Sequence, residues 1–74
     1  MINLNKILNS NINNLSLDSD CLSKLNAANI NKIYELCILD RKKLKEYKLS
    51  VEQINNIIIR LQLLGLDINK RYKM

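Results

Sequence analysis

Twelve basic residues, seven acids, two cysteines and no histidine are the groups with which this 74-residue chain could do chemistry. Histidine titrates near neutrality and is the commonest metal ligand, so its absence removes the usual general base and the usual metal sites together. Gly65 is the single glycine, too few for a loop whose backbone cradles phosphates. Cys21 and Cys37 are separated by fifteen residues, outside any CxxC spacing, and each falls in a segment of apolar periodicity. They read as buried thiols rather than redox or metal groups. The sequence therefore predicts no catalytic site of its own, no cofactor and no small-molecule substrate.

What remains is charge. The run Arg41-Lys42-Lys43-Leu44-Lys45-Glu46-Tyr47-Lys48 holds five basic residues against one acid. On a short helix Leu44 and Tyr47 point inward, while Lys42, Lys45 and Lys48 lie along one outer strip with Arg41 beside it. Lys24 joins them if the first helix lies close. Such a strip suits phosphates, through counterion release, or an acidic protein; the plainer reading is a solvated face that keeps a small apolar domain in solution. The formal charge of +5 carries the same ambiguity. Twelve asparagines, eleven isoleucines and nine lysines, with no proline, are also what an AT-rich coding sequence yields whatever the protein does.

The elements that must position these groups follow from caps and periodicity. Seventy-four residues make one domain, burying only about 60% of the surface exposed when unfolded. Asp18 or Ser19 caps a helix to about Ala28, with Cys21, Leu22, Leu25 and Ala28 on one face. Asn31 is the expected cap of a second short helix with Ile33, Leu36 and Cys37 inward, and Asp40 caps a third. Ser50 and Gln53 form a capping box for the longest helix, whose apolar positions are Val51, Ile54, Ile57, Ile58, Leu61 and Leu64, with its core face centred on Ile54, Ile58 and Leu61. Gly65 tolerates the left-handed turn that ends it, and Leu66 and Ile68 fold back. No alternation of period two is long enough for a sheet. The fold class is all-α, a compact bundle of four to five short helices. Residues 1–14, with Ile2, Leu4, Ile7, Leu8 and Ile12 among asparagines, form a lead-in or a short amphipathic helix, and residues 69–74 a basic tail. Nothing approaches eighteen consecutive apolar residues, and the N-terminus is too broken by asparagine for a secretory core, so a soluble protein of the bacterial cytoplasm or an organellar matrix, not secreted, is expected.

Over residues 15–68 the chain resembles the C-terminal domain of the bacterial-type RNA polymerase α subunit. The resemblance rests on Leu15 and Leu17, on Leu25, on the pattern Ala28, Ile30, Ile33 and Leu36, and on Leu44, Leu49, Ile54, Ile57 and Leu61 before the end Leu64-Gly65-Leu66. It implies a bundle with helix-hairpin-helix-like units that contacts DNA and transcription proteins, as part of DNA-directed RNA polymerase. In that family the starts of the first and last helices grip the minor groove, where an arginine enters the most negative potential and helix N-termini approach phosphates. Carried over, the DNA-facing positions are Ser23, Ser50, Gln53 and Asn56. The arginine position falls on Asp20, and where the family has a glycine followed by lysine and serine this chain has Ser50, Val51, Glu52 and Gln53, one residue shorter across the turn; the carboxylates of Asp20 and Glu52 repel the groove. The acidic pair that faces the polymerase specificity factor is replaced by Asn14 and Ser16, which removes that charge complementarity.

Two functions follow as expectations. One is a transcription-associated binding module that contacts RNA polymerase subunits or transcription regulators, and DNA weakly and in a salt-sensitive way, with Lys24, Lys42, Lys45 and Lys48 as phosphate contacts. The other is a protein–protein interaction module of the same fold that has lost minor-groove binding. Ile59 and Leu63, i and i+4 on the outer side of the last helix, would anchor such an interface unless residues 2–12 fold over them. Neither reading involves a membrane.

Overall fold

Helix starts in this chain are set by side chains that supply the acceptors a first turn lacks. In the computed structural model, which describes residues 4–73, α1 spans Leu4–Leu8, a 3₁₀ turn spans Ile12–Leu15, and α2 to α5 span Ser19–Ala27, Ile33–Cys37, Arg41–Glu46 and Val51–Leu63. The Asp18 carboxylate accepts from the Cys21 N–H at 2.6 Å, and that of Asp40 accepts from Lys43 N–H at 2.8 Å. Ser50 Oγ accepts from Gln53 N–H at 3.0 Å while Gln53 Oε1 accepts from Ser50 N–H at 2.9 Å, the reciprocal box read from the sequence. The start of α3 corrects the sequence reading. Lys32, not Asn31, is its first flanking residue, and Glu35 does the capping, accepting from the N–H groups of Lys32 at 2.9 Å and Asn31 at 3.2 Å. Asn31 is instead drawn into backbone pairing with the N-terminal segment: Ile12 N–H donates to its carbonyl at 2.9 Å, and Ile33 N–H donates to Ser10 at 3.0 Å.

Three helix exits repeat one device. Asn29, Lys48 and Gly65 hold φ of 63°, 65° and 79°, the left-handed conformation that turns the chain back over the helix it leaves. After α2 the N–H of Ile30 donates to Leu25 and that of Asn29 to Asn26; after α5 the N–H of Leu66 donates to Leu61 and that of Gly65 to Gln62, all at 2.9 Å. Each pairing brings together two buried residues five apart: Leu25 with Ile30, Leu61 with Leu66, and in the same register Leu44 with Leu49 around Lys48.

The core runs through all five helices, with Leu8, Ile12, Leu25, Ile33, Leu36, Leu44, Ile54, Ile57 and Leu61 sealed from solvent. At about 1.5–3 kcal/mol for each fully buried Leu or Ile, these side chains are the main term opposing chain entropy. The long helix buries Ile54, Ile57 and Leu61, so its inward face is centred on Ile57 rather than Ile58, which is half-buried. Val51, read as one of the apolar positions of this helix, is 58% exposed, although Ile54 in the same first turn is sealed from solvent.

The first and last described segments are both part of the fold. The lead-in is a helix followed by a 3₁₀ turn, and Asn9 Nδ2 and Ser10 Oγ close the end of α1 by donating to the carbonyls of Asn5 at 2.9 Å and Lys6 at 2.7 Å. At the other end Asn69 N–H donates to Leu39 at 2.7 Å and Lys70 N–H to Cys37 at 2.9 Å, fastening the tail across the turn between α3 and α4. The Ile2 position lies outside the described residues.

Candidate functional site

The starts of α2 and α5 meet along a shallow groove lined by Asp18, Asp20, Lys24, Ser50, Glu52, Gln53 and Asn56. Four of the expected contact positions, Lys24, Ser50, Gln53 and Asn56, are thus brought together; Ser23 is exposed on α2 outside this lining. Their polar groups are committed to one another. Gln53 uses its carbonyl oxygen to cap Ser50 and its amide to donate to Asp20 Oδ2 at 2.8 Å and Asp18 Oδ1 at 3.4 Å. Lys24 Nζ sits 3.0 Å from the same Asp20 oxygen and donates to the Lys48 carbonyl at 3.0 Å. The hydrogen bond from Gln53, and then that from Lys24, hold the Asp20 carboxyl below its ordinary range. Three carboxylates against one ammonium leave the groove net negative, opposite in sign to what a phosphate backbone requires.

The lysine strip is partly dispersed. Lys42 and Lys45 are exposed on α4, but Lys48 lies beyond the helix in a left-handed backbone and borders a different hollow from Lys42, shared with Lys24, Ala28, Glu46 and Tyr47. None of these three side chains makes a hydrogen bond or ion pair among the described residues. Lys24 does lie close, yet its amine is engaged as above. Arg41 donates from Nη1 to Asn55 Oδ1 at 3.1 Å and so ties α4 to α5; Lys43 pairs with Glu46 at 3.8 Å and stands 6.0 Å above the Tyr47 ring.

On the outer side of α5, Ile59 is 53% and Leu63 72% exposed. Residues 4–12 do not cover them: Leu8 and Ile12 are buried in the core instead. Glu52, Asn55, Asn56 and Gln62 surround the pair on the same helix at about 100° per residue.

Both thiols are buried and protonated. Burial, then the Asp18 and Asp20 charges, push Cys21 up to about 11; burial and the Asp67 charge do the same for Cys37. Among the described residues no group of three or more His, Cys, Asp or Glu side chains is placed to hold a metal ion, and no helix is long and apolar enough to cross a membrane.

Sequence reasoning placed Asp20 and Gln53 on one side of the domain but not in contact, since nothing local links positions 33 residues apart. It also missed the docking of the tail, whose signal was the apolar Ile68 two residues before Lys70. No protein-family model matches the chain, and no curated protein matches it.

Proposed function

We propose that this domain is a protein-docking module of the transcription apparatus, resembling the polymerase α C-terminal domain, that has given up the minor-groove grip. The observation that carries the reading is the pairing of Gln53 with Asp20 inside a groove that also holds Asp18 and Glu52. Donors that would reach phosphates are turned onto carboxylates, and the groove repels a polyanion. The exposed Ile59 and Leu63 support a protein contact in its place, with RNA polymerase subunits or transcription regulators as the partner class. With no histidine and both thiols held protonated, the module has no catalytic site of its own in this reading.

The test has two arms. Titration with an AT-rich duplex at low salt should leave the amide shifts of Asp20, Ser50 and Gln53 unmoved; shifts there, lost on Ser50→Ala, would overturn the loss of the grip. A weak, salt-sensitive shift confined to Lys42, Lys45 and Lys48 would assign DNA contact to the lysines alone. In the second arm, an Ile59→Asp, Leu63→Asp double variant should keep its helicity and lose the proteins captured by the parent domain from an extract of its native host. Retention of the same partners removes the α5 interface.

A further inference from the structure

Ile59 and Leu63 do not stand alone on the outer side of α5. At about 100° per residue, Glu52, Asn56, Ile59 and Leu63 fall at i, i+4, i+7 and i+11 and make one continuous stripe, on the side away from Ile54, Ile57 and Leu61. Glu52 and Asn56 also form part of the lining of the groove between the starts of α2 and α5. The stripe therefore begins beside Asp18 and Asp20 and ends on two exposed apolar side chains, with about 10 Å of helix between Glu52 and Ile59. Alternating steps of four and three are the pattern along which a second helix packs.

The two ends of the stripe differ in charge. In the groove three carboxylates meet one ammonium, and that ammonium is already paired with Asp20. Asp18 accepts from the Cys21 N–H and Asp20 from Gln53, whereas Glu52 is exposed and makes no hydrogen bond or ion pair among the described residues. The nearest other cations on α5 and α4 stand apart from this end. Arg60 is half-buried two turns beyond Glu52, and Arg41 donates to Asn55 on the flank away from the groove.

We infer that the occupant of this stripe is a basic amphipathic helix of a protein partner, with two leucine-like side chains over Ile59 and Leu63 and lysines or arginines over Glu52 and the groove. The inference rests on the α5 interface proposed above and assigns the chemistry of what docks there. Charge complementarity selects the basic occupant, since an acidic helix of the same shape would set like charges against Glu52, Asp18 and Asp20. The apolar end selects a helix with side chains to bury, and the spacing of the stripe places them.

Three helical peptides of equal length, titrated into the isotope-labelled full chain, test this. The first carries two leucines four positions apart and, on the same face, lysines three and seven positions further on; the second has glutamates for the lysines, and the third glutamines for the leucines. The lysine–leucine peptide should shift the amides of Glu52, Asn56, Ile59 and Leu63, and that of Asp20 across the groove. Each of the other two should bind about tenfold more weakly. Glu52→Gln, an exposed change, should keep the helical circular dichroism and reduce the preference for lysine over glutamate about threefold. An Ile59→Gln, Leu63→Gln double variant, which adds no charge, should lose about tenfold for the first peptide. Equal or tighter binding of the glutamate peptide, or an unchanged lysine preference in Glu52→Gln, overturns the basic occupant and leaves the α5 interface standing. Shifts of the same amides on concentrating the chain alone give the stripe to a second copy and overturn the inference as well. Failure of all three peptides overturns the helix as occupant, while the α5 interface itself falls only if the Ile59→Asp, Leu63→Asp variant keeps its extract partners.

Discussion

Replacing Gly65 by alanine isolates the torsional cost of a left-handed helix exit. Gly65 holds φ of 79°, and a Cβ built there meets nothing within 4 Å, so the substitution introduces no clash and removes no contact. What changes is the backbone: an L-residue in this region costs about 1–2 kcal/mol, offset by the roughly 0.4–1 kcal/mol by which alanine narrows the unfolded chain. The expected net loss is about 1 kcal/mol. Lys48 offers the reverse experiment, since at φ of 65° it already bears the penalty. Lys48→Gly should stabilise by about 0.5 kcal/mol or more, while Lys48→Ala, which keeps the Cβ and removes only an exposed side chain, should stay within about 0.5 kcal/mol of the parent. The amine of Lys24 donates to the backbone carbonyl at 48, so all three versions retain that bond. Urea unfolding followed by circular dichroism measures each difference, and about 1 kcal/mol corresponds to a melting shift of roughly 4–8 °C in a domain of this size. A Gly65→Ala loss well above about 2 kcal/mol, or a Lys48→Gly variant less stable than Lys48→Ala, would refute the reasoning, because either result requires an interaction other than the torsion.

Ile12→Ala should cost about 2–4 kcal/mol in the same assay, since Ile12 is sealed in the core; a negligible loss would return the N-terminal segment to the status of a linker. Cys21 and Cys37 should resist a thiol reagent at pH 8 in the folded domain and react at once in denaturant. Their folded pKa values lie above the ordinary 9.0, so the stability they contribute is complete below pH 9 and is lost as pH rises towards about 11, which an alkaline unfolding series will show. The Asp20 carboxyl is shifted the other way: its contribution is present above the ordinary 3.8 and disappears as pH falls through its lower folded value. An Asp20→Asn variant should therefore show a flatter acid limb as pH falls below the ordinary 3.8.

The parts of this structure legible in the sequence are those decided within a turn or two of chain. Asp18, Asp40 and the Ser50–Gln53 box cap the helices they were expected to cap, because an N-cap acts on an N–H two or three residues away. Asn31 failed as a cap because its backbone was claimed by Ile12, nineteen residues earlier, leaving the acceptor role to Glu35. Val51 failed because helical periodicity gives a direction but not the extent of the core it faces. The candidate site was legible as a set of positions and not as chemistry: Gln53 was read as facing a ligand, while its amide is held by Asp18 and Asp20 across the groove. Lys48 left the strip for the same reason that Leu49 could return to the core, the left-handed turn between them.

The shortest interior helix, α3, is clasped at its start by Ser10 and Ile12 and at its end by Asn69 and Lys70. Five residues cannot hold a helix by themselves, so α3 exists only while both terminal segments are in place. Opening of either end should release the same amides to hydrogen exchange, and the two termini, far apart in sequence, should open as one cooperative unit with the helix between them. Any contact that held Asn69 and Lys70 in place would then slow exchange not only in the tail but at Ile12 and Ile33 as well, a protection pattern spanning the described chain from a contact near one end of it.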